Sequence, residues 1–161
     1  MKTTILNFQT LYDEYYQDIF RFAYWLSGNR EDAKDIAAET FTRLWMSRET
    51  FRATSVKGYL ITIARNLYLQ GKRKKATVSL DEDIIDTAPP TEQLVSSKAE
   101  LSLVMRKLQK LPEIDRTIVL MKTLEGLSFP EISQILGISV SSLKVKLHRS
   151  RKKLSDEFNK E

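Results

Sequence analysis

Apolar residues recur at helical spacing through most of the chain, and strand-like alternation of useful length is absent. The repeat over residues 8–26 ends at Gly28, a typical helix stop. Asn29 is placed to cap a second helix, with acidic residues in its first turn. The inward face of that second helix is predicted to contain Ala33, Ile36, Ala37, Thr40, Phe41, Leu44 and Trp45.

A third helix is predicted to begin at its cap, Ser55, and to end in the basic run of residues 72–75. Residues 76–93 then lose the periodicity, because acidic residues and the pair Pro89-Pro90 interrupt it. Helical spacing resumes over residues 94–111 and 114–124. We therefore expect an all-α protein with two small helical domains, residues 1–75 and 94–161, joined by a flexible acidic linker at 76–93.

Residues 128–154 have the pattern of a helix-turn-helix. Ser128 and Glu131 have capping-box spacing, Gly137 suits a left-handed turn, and Ser139 can cap the following helix. The apolar positions of that helix fall within one arc, which leaves the opposite side to polar and basic residues. The candidate DNA-binding residues are Ser139, Ser141, Ser142, Lys144, Val145, Lys146, His148, Arg149 and Lys152.

Other interpretations of this motif stay open from the sequence. An ordinary helical hairpin with a charged solvent face would share much of the pattern. His148 on a basic helix is expected to be solvated or to touch phosphate, and a catalytic role is not expected for it. Val145 is apolar on the outward arc, where it either contacts a thymine methyl or is a tolerated exposed side chain.

The chain has a net charge of +5, and its basic and acidic residues are unevenly distributed along the sequence. Residues 57–75 carry six basic and no acidic residues, and residues 101–161 carry twelve basic and seven acidic ones. Between these blocks, residues 76–100 carry one basic and six acidic residues. Lysine and arginine that neutralise phosphates supply affinity for nucleic acid, so the pattern suggests two contacts with a polyanion.

Composition excludes several classes of site. Cysteine is absent and histidine occurs once, which excludes disulfides and the usual zinc sites. No carboxylate cluster, metal-ligand spacing or phosphate-binding glycine loop is visible, so we expect no enzyme activity, no catalytic residue, no cofactor, no metal and no small-molecule substrate. The longest apolar stretches stay far below the ~20 residues of a membrane span, and no secretory segment is visible, so a cytoplasmic protein is expected.

Three motifs together resemble the bacterial RNA polymerase sigma factors of the extracytoplasmic-function group, in the sigma-70 family. They are residues 32–45 (DAKDIAAETFTRLW), residues 58–66 (GYLITIARN), and the helix-turn-helix with its lead-in Leu111-Pro112 and Arg116. The resemblance covers nearly the whole chain. It implies a dissociable initiation subunit that binds core RNA polymerase, with residues 1–75 at the melted −10 promoter element and residues 94–161 at the duplex −35 element.

The resemblance also implies roles for single residues. The surface for the polymerase clamp would use Asp35, Glu39, Thr40, Arg43 and Leu44. Melting of the −10 element and capture of its bases would use Arg52, Ser55, Lys57, Tyr59, Arg65, Asn66, Lys72 and Arg73. Core packing of Tyr59, and a surface or intrahelical pair of Arg65 with Asn66, are the competing interpretations.

Departures from the family pattern are few. Ser133 stands where alanine is common, and Val145 where a small polar residue is frequent. The resemblance further implies control by a separate anti-sigma factor, often membrane-bound in this group, and a linker near the RNA exit path. A free-standing helix-turn-helix regulator that acts without core polymerase is the alternative function.

Overall fold

The computed structural model describes residues 8–48, 55–78 and 95–159. These residues form helices and short turns without a β-strand, which confirms the all-α prediction. The chain divides into two compact units, Met1–Asp83 and Ile84–Glu161. Arg52 and most of the predicted linker lie outside the described residues.

The N-terminal unit is a bundle of α1 (Phe8–Ser27), α2 (Arg30–Met46) and α3 (Val56–Val78), each of which contacts the other two. Its core includes the completely buried Ile19, Phe22, Leu26, Leu44 and Leu60. Burying such a side chain contributes about 1.5–3 kcal/mol, so the apolar stripe seen in the sequence holds the three helices together.

Short polar side chains and one glycine set the helix ends in this unit. Gly28 follows α1 with a φ of 71°. The Asn29 side chain accepts a hydrogen bond from the Asp32 amide at 3.0 Å, and the Ser55 hydroxyl accepts one from the Gly58 amide at 3.1 Å. Both predicted caps are therefore confirmed.

Helix α3 continues through Gly71 to Val78, three residues beyond its predicted end at Lys75. A glycine within a helix costs only about 1 kcal/mol, so it does not by itself stop one. The Lys75 ammonium lies 2.7 Å from a carboxylate oxygen of Asp32 at the start of α2. This contact supports the last turns of α3.

The C-terminal unit contains α4 (Val95–Gln109), α5 (Glu113–Val119), α6 (Phe129–Leu136) and α7 (Val140–Asn159). Its core includes the fully buried Ile118, Met121, Ile132 and Leu143. Arg116, only 2% exposed, donates from Nη1 to the backbone and side-chain oxygens of Gln109 at 3.3 and 3.1 Å. This guanidinium fastens α5 to the end of α4.

The helix predicted over residues 114–124 is not uniformly α-helical. After α5 it widens into a π-helical segment, Leu120–Leu124. The Glu125 amide bonds to the Leu120 carbonyl at 3.0 Å, five residues back, and Gly126 follows with a φ of 70°. Apolar spacing alone does not distinguish this wider turn from an α-helical one.

Candidate nucleic-acid interface

The turn between α6 and α7 is built from the residues that the sequence singles out. The Ser128 hydroxyl accepts from the Glu131 amide, and the Glu131 carboxylate accepts from the Ser128 amide, both at 3.2 Å. Gly137 adopts a φ of 69° and donates to the Ser133 carbonyl at 2.8 Å. The Ser139 hydroxyl accepts from the Ser142 amide at 3.2 Å, so both motif helices have fixed starts.

One side of α7 is buried in the unit and the other faces solvent. Leu143, Leu147 and Ser150 are at most 4% exposed. Lys146 is half-buried. The remaining DNA-binding candidates are all exposed, as predicted: Ser139, Ser141, Ser142, Lys144, Val145, His148, Arg149 and Lys152. We call these eight residues the α7 outer face.

The cations of the α7 outer face are not neutralised within the described part of the unit. No carboxylate there forms an ion pair with Lys144, Arg149 or Lys152. The Lys144 ammonium instead lies 5.7 Å from the ring centroid of Phe129. A row of unpaired cations beside short hydroxyls is suited to phosphates and base edges in a major groove.

Lys122 extends this positive surface from outside the motif. Its ammonium lies 4.5 Å from the centroid of the same Phe129 ring that Lys144 approaches. Beside it, Arg151 donates from Nη2 to the Thr123 hydroxyl at 3.2 Å. The sequence carried no signal for Lys122, because only the fold brings the π-helical segment next to α7.

The residues assigned to the −10 element lie at two places along α3. Ser55, Lys57 and Tyr59 are at its start, whereas Lys72 and Arg73 are near its end. At 1.5 Å per residue the two groups are roughly 25 Å apart. The helix therefore presents two separate sets of candidates, with the half-buried Arg65 and the exposed Asn66 between them.

Several of these side chains have partners inside their own unit. The Lys57 ammonium lies 3.6 Å from an Asp18 carboxylate oxygen. The half-buried Tyr59 hydroxyl is hydrogen-bonded to the Ser47 hydroxyl at 2.9 Å. Lys72 places its ammonium 5.6 Å from the ring centroid of Tyr68. Contact with DNA would thus require Lys57 and Tyr59 to exchange partners.

The five residues of α2 assigned to the polymerase divide between surface and core. Asp35, Glu39 and Arg43 are exposed, and Arg43 Nε lies 3.3 Å from a Glu39 carboxylate oxygen. Thr40 and Leu44 are instead completely buried, so their assignment to a contact surface is corrected. The reason is helical geometry, since these two share the inner face of α2, where the Thr40 hydroxyl donates to the Ile36 carbonyl at 2.6 Å.

Two apolar residues at the end of α2 are exposed, contrary to what their type suggests. Met46 is 76% exposed, and at 100° per residue it falls in line with Asp35 and Glu39. Trp45 was predicted to face inward but is 45% exposed, with the Arg48 guanidinium 4.0 Å above its ring. We call Asp35, Glu39, Arg43 and Met46 the α2 outer face.

Among the residues that the structure describes, no group of three or more His, Asp or Glu side chains is arranged to hold a metal ion. No described helix has the length and apolar character needed to cross a membrane.

Comparison with known proteins gives two family matches in the order of the two units. Residues 11–77 match Sigma-70 region 2, and residues 101–154 match Sigma-70, region 4. The chain is 30% identical over 165 residues to the ECF RNA polymerase sigma factor SigW of Bacillus subtilis, covering 94% of this chain and 88% of that protein. It is 30% identical over 148 residues to the ECF RNA polymerase sigma factor SigE of Mycolicibacterium smegmatis, covering 88% of this chain but only 58% of SigE.

A solved structure has a similar fold. It is the sigma factor RpoE of Bartonella quintana in complex with the anti-sigma factor NepR, with a TM-score of 0.74 and 20% identity. The alignment covers 96% of this chain and 98% of that one. At this identity the likeness concerns the fold alone.

Proposed function

The chain belongs to the extracytoplasmic-function group of the sigma-70 family, and we propose that its two units hold a promoter at two separate points. As a sigma factor it binds core RNA polymerase and directs promoter-specific initiation. The observation that carries the proposal is the α7 outer face, which is exposed, rigidly seated and cationic. Residues 1–75 act at the −10 element and residues 94–161 at the −35 element.

The C-terminal unit docks on duplex DNA through α7. Arg149 and Lys152 lie on the exposed side of a helix whose other side is anchored by Leu143 and Leu147. In a helix-turn-helix, such a helix lies in the major groove, where cations reach phosphates and guanine. Lys122 and Lys144, which share the Phe129 ring, are placed to add phosphate contacts from the neighbouring segment.

The N-terminal unit opens the DNA and captures bases along α3. Tyr59 offers an aromatic ring, and each base stacked on such a ring contributes about 1–3 kcal/mol. Ser55 and Lys57 lie beside it at the start of α3, Arg65 and Asn66 lie farther along the helix, and Arg52 precedes it in sequence. Lys72 and Arg73, farther along, follow the DNA backbone as cations.

The α2 outer face is the contact surface for core polymerase. It combines the acidic Asp35 and Glu39 with the exposed apolar Met46, and an apolar centre with charged neighbours is common in protein interfaces. Trp45 and its stacked Arg48 adjoin it. Thr40 and Leu44 support this surface from the core and do not touch the polymerase.

Regulation and location follow from the same assignment. We infer from membership of this group that a separate anti-sigma factor, often membrane-bound in the group, controls the chain; RpoE of Bartonella quintana, which shares the fold, is bound to one. Core polymerase works on chromosomal DNA in the cytoplasm, so we place the chain there. It acts by binding alone and has no enzyme activity.

The test is reconstitution with purified core RNA polymerase. The full chain should bind core polymerase and allow transcription that core polymerase alone does not give. Asp35→Arg should lower the affinity for core polymerase about tenfold, because it reverses a charge on the α2 outer face. Asp13 is also an exposed acid and lies on α1, so Asp13→Arg is the matched control and should leave that affinity unchanged.

Two results would count against parts of this proposal. If the chain binds promoter duplexes tightly without core polymerase, and core polymerase gains no activity from it, the chain is a free-standing regulator. Equal effects of Asp35→Arg and Asp13→Arg would remove α2 from the interface while leaving the sigma-factor assignment in place.

A further inference from the structure

Val145 is an apolar side chain in the middle of a polar DNA-binding face. It is 47% exposed, and within residues 139–152 it is the only large hydrophobic side chain that is exposed. Its helical neighbours Ser141, His148 and Arg149 are exposed as well. Nearly half of this residue lies in solvent, so contact with a ligand would remove further apolar surface from water.

The surroundings leave nearly half of Val145 exposed. Lys144 directs its ammonium to the Phe129 ring, 5.7 Å from the centroid. One turn earlier, the serine hydroxyls bond to one another: Ser139 Oγ donates to Ser142 Oγ at 2.9 Å and lies 3.3 Å from Ser141 Oγ. The hydrogen-bonding capacity of this first turn is therefore partly used, and the next side chain along the face is Val145.

Val145 is also held rigidly. A β-branched side chain in a helix has one strongly preferred rotamer, so its two methyl groups point in fixed directions. The adjacent Leu143 and Leu147 are 0% and 4% exposed and fix the helix against the unit. Binding thus costs little conformational entropy at this position.

We propose that Val145 recognises the C5 methyl group of a thymine in the −35 element and so determines base preference at that position. The thymine methyl is the apolar group that B-DNA presents in its major groove, and contact with small apolar side chains is an established way to read it. The inference rests on the proposed function, since it requires α7 to lie in the major groove of promoter DNA.

The experiment removes one methyl group from the DNA at a time. The full chain is assembled with core polymerase, and its affinity is measured for duplexes in which each −35 thymine in turn is replaced by deoxyuridine. Base pairing is unchanged by this replacement. Loss of one buried methyl should weaken binding about fourfold at one thymine, and substitutions in the spacer should have no effect.

Protein variants assign the effect to Val145. With Val145→Ala, the unmodified duplex should bind about fourfold more weakly, and the deoxyuridine replacement should have no further effect. Val145→Thr keeps the branched shape and one methyl, so it tests shape apart from apolarity. Ser155→Ala, at an exposed position farther along α7, is the control and should retain the full deoxyuridine effect.

The possible results distinguish a failure of thymine recognition by Val145 from a failure of promoter binding. If wild-type holoenzyme binds the promoter and no thymine shows a methyl effect, the inference is overturned and Val145 is merely a tolerated exposed residue. A methyl effect that persists in Val145→Ala also overturns it. If the holoenzyme binds no promoter, the proposed function fails before Val145 is in question.

Discussion

The two candidate DNA surfaces differ in how their polar side chains are occupied. On α7, no carboxylate of the described residues pairs with Arg149 or Lys152. On α3, the Lys57 ammonium lies 3.6 Å from Asp18, and Tyr59 is hydrogen-bonded to Ser47. One surface is ready for a ligand, whereas the other is engaged within its own unit.

This difference agrees with the tasks proposed for the two units. A major groove exists before the protein arrives, so a preformed complementary face can dock on it directly. Unstacked bases exist only after the duplex has opened, at a cost of a few kcal/mol. On α3, Lys57 and Tyr59 must first release their partners in the N-terminal unit. Binding of α3 to a duplex that has not opened therefore costs additional free energy.

A substitution in the core of the C-terminal unit tests whether the two units fold separately. Leu143 is 0% exposed in the core of the C-terminal unit. Its replacement by alanine should lower the free energy of unfolding of that unit by about 3 kcal/mol. Both tryptophans, Trp25 and Trp45, belong to the N-terminal unit. In urea, Leu143→Ala should therefore shift part of the circular-dichroism transition and leave the tryptophan-fluorescence transition in place. A matching shift of both signals would contradict separate folding.

A glycine in each unit provides a second comparison. Gly137→Ala should destabilise the C-terminal unit by about 1–2 kcal/mol, because its φ of 69° is left-handed. Gly71→Ala should stabilise the N-terminal unit by about 0.5–1 kcal/mol, since this glycine lies within α3 and an added Cβ meets nothing within 4 Å. Thermal melting of each variant gives the sign. Destabilisation by both alanines would argue against the described helix in α3.

Removing an unpaired cation should affect binding and leave folding unchanged. Arg149→Ala is expected to weaken −35 duplex binding by about 1 kcal/mol. The slope of log affinity against log salt concentration should become shallower by about one. Its free energy of unfolding should stay within about 0.5 kcal/mol of the wild type. Binding measured across a salt series decides this, and an unaltered slope would exclude a phosphate contact by Arg149.

The smallest expected effect comes from a paired cation. Lys75→Gln removes the contact with Asp32, which joins two partly exposed side chains and so contributes about 0.2–1 kcal/mol. Urea denaturation followed by tryptophan fluorescence should detect this loss in the N-terminal unit, and added salt should reduce it. A loss well above about 0.5 kcal/mol for Arg149→Ala in its own unit would contradict the contrast between a paired and an unpaired cation.

Much of the fold was predictable because local chemistry specifies it. The caps Asn29, Ser128 and Ser139 and the turn at Gly137 all depend on residues a few positions apart. The outward arc of α7 likewise follows from helical period alone. Such features need no knowledge of the rest of the chain.

The features that were missed depend on contacts distant in sequence or on small rotations of a helix. Helical spacing correctly predicts Thr40 and Leu44 on the inner face of α2, and only the contact role that the resemblance implies for them conflicts with their burial. Trp45 is predicted to face inward but is 45% exposed. Lys122 joins the α7 surface through Phe129, and the π-helical turn at Leu120–Leu124 leaves the apolar spacing unchanged. Neither spacing nor residue type encodes the exposure of Trp45, the position of Lys122 or the π-helical turn.

Mapping of transcription starts tests whether this sigma factor binds promoters at two separate points. Purified chain and core RNA polymerase would transcribe a genomic fragment library, with core polymerase alone as the control. If both units bind, chain-dependent starts should share two upstream sequence elements, at −10 and −35, with nearly constant spacing. Starts that share a single element, or that do not depend on the chain, would contradict binding at two points.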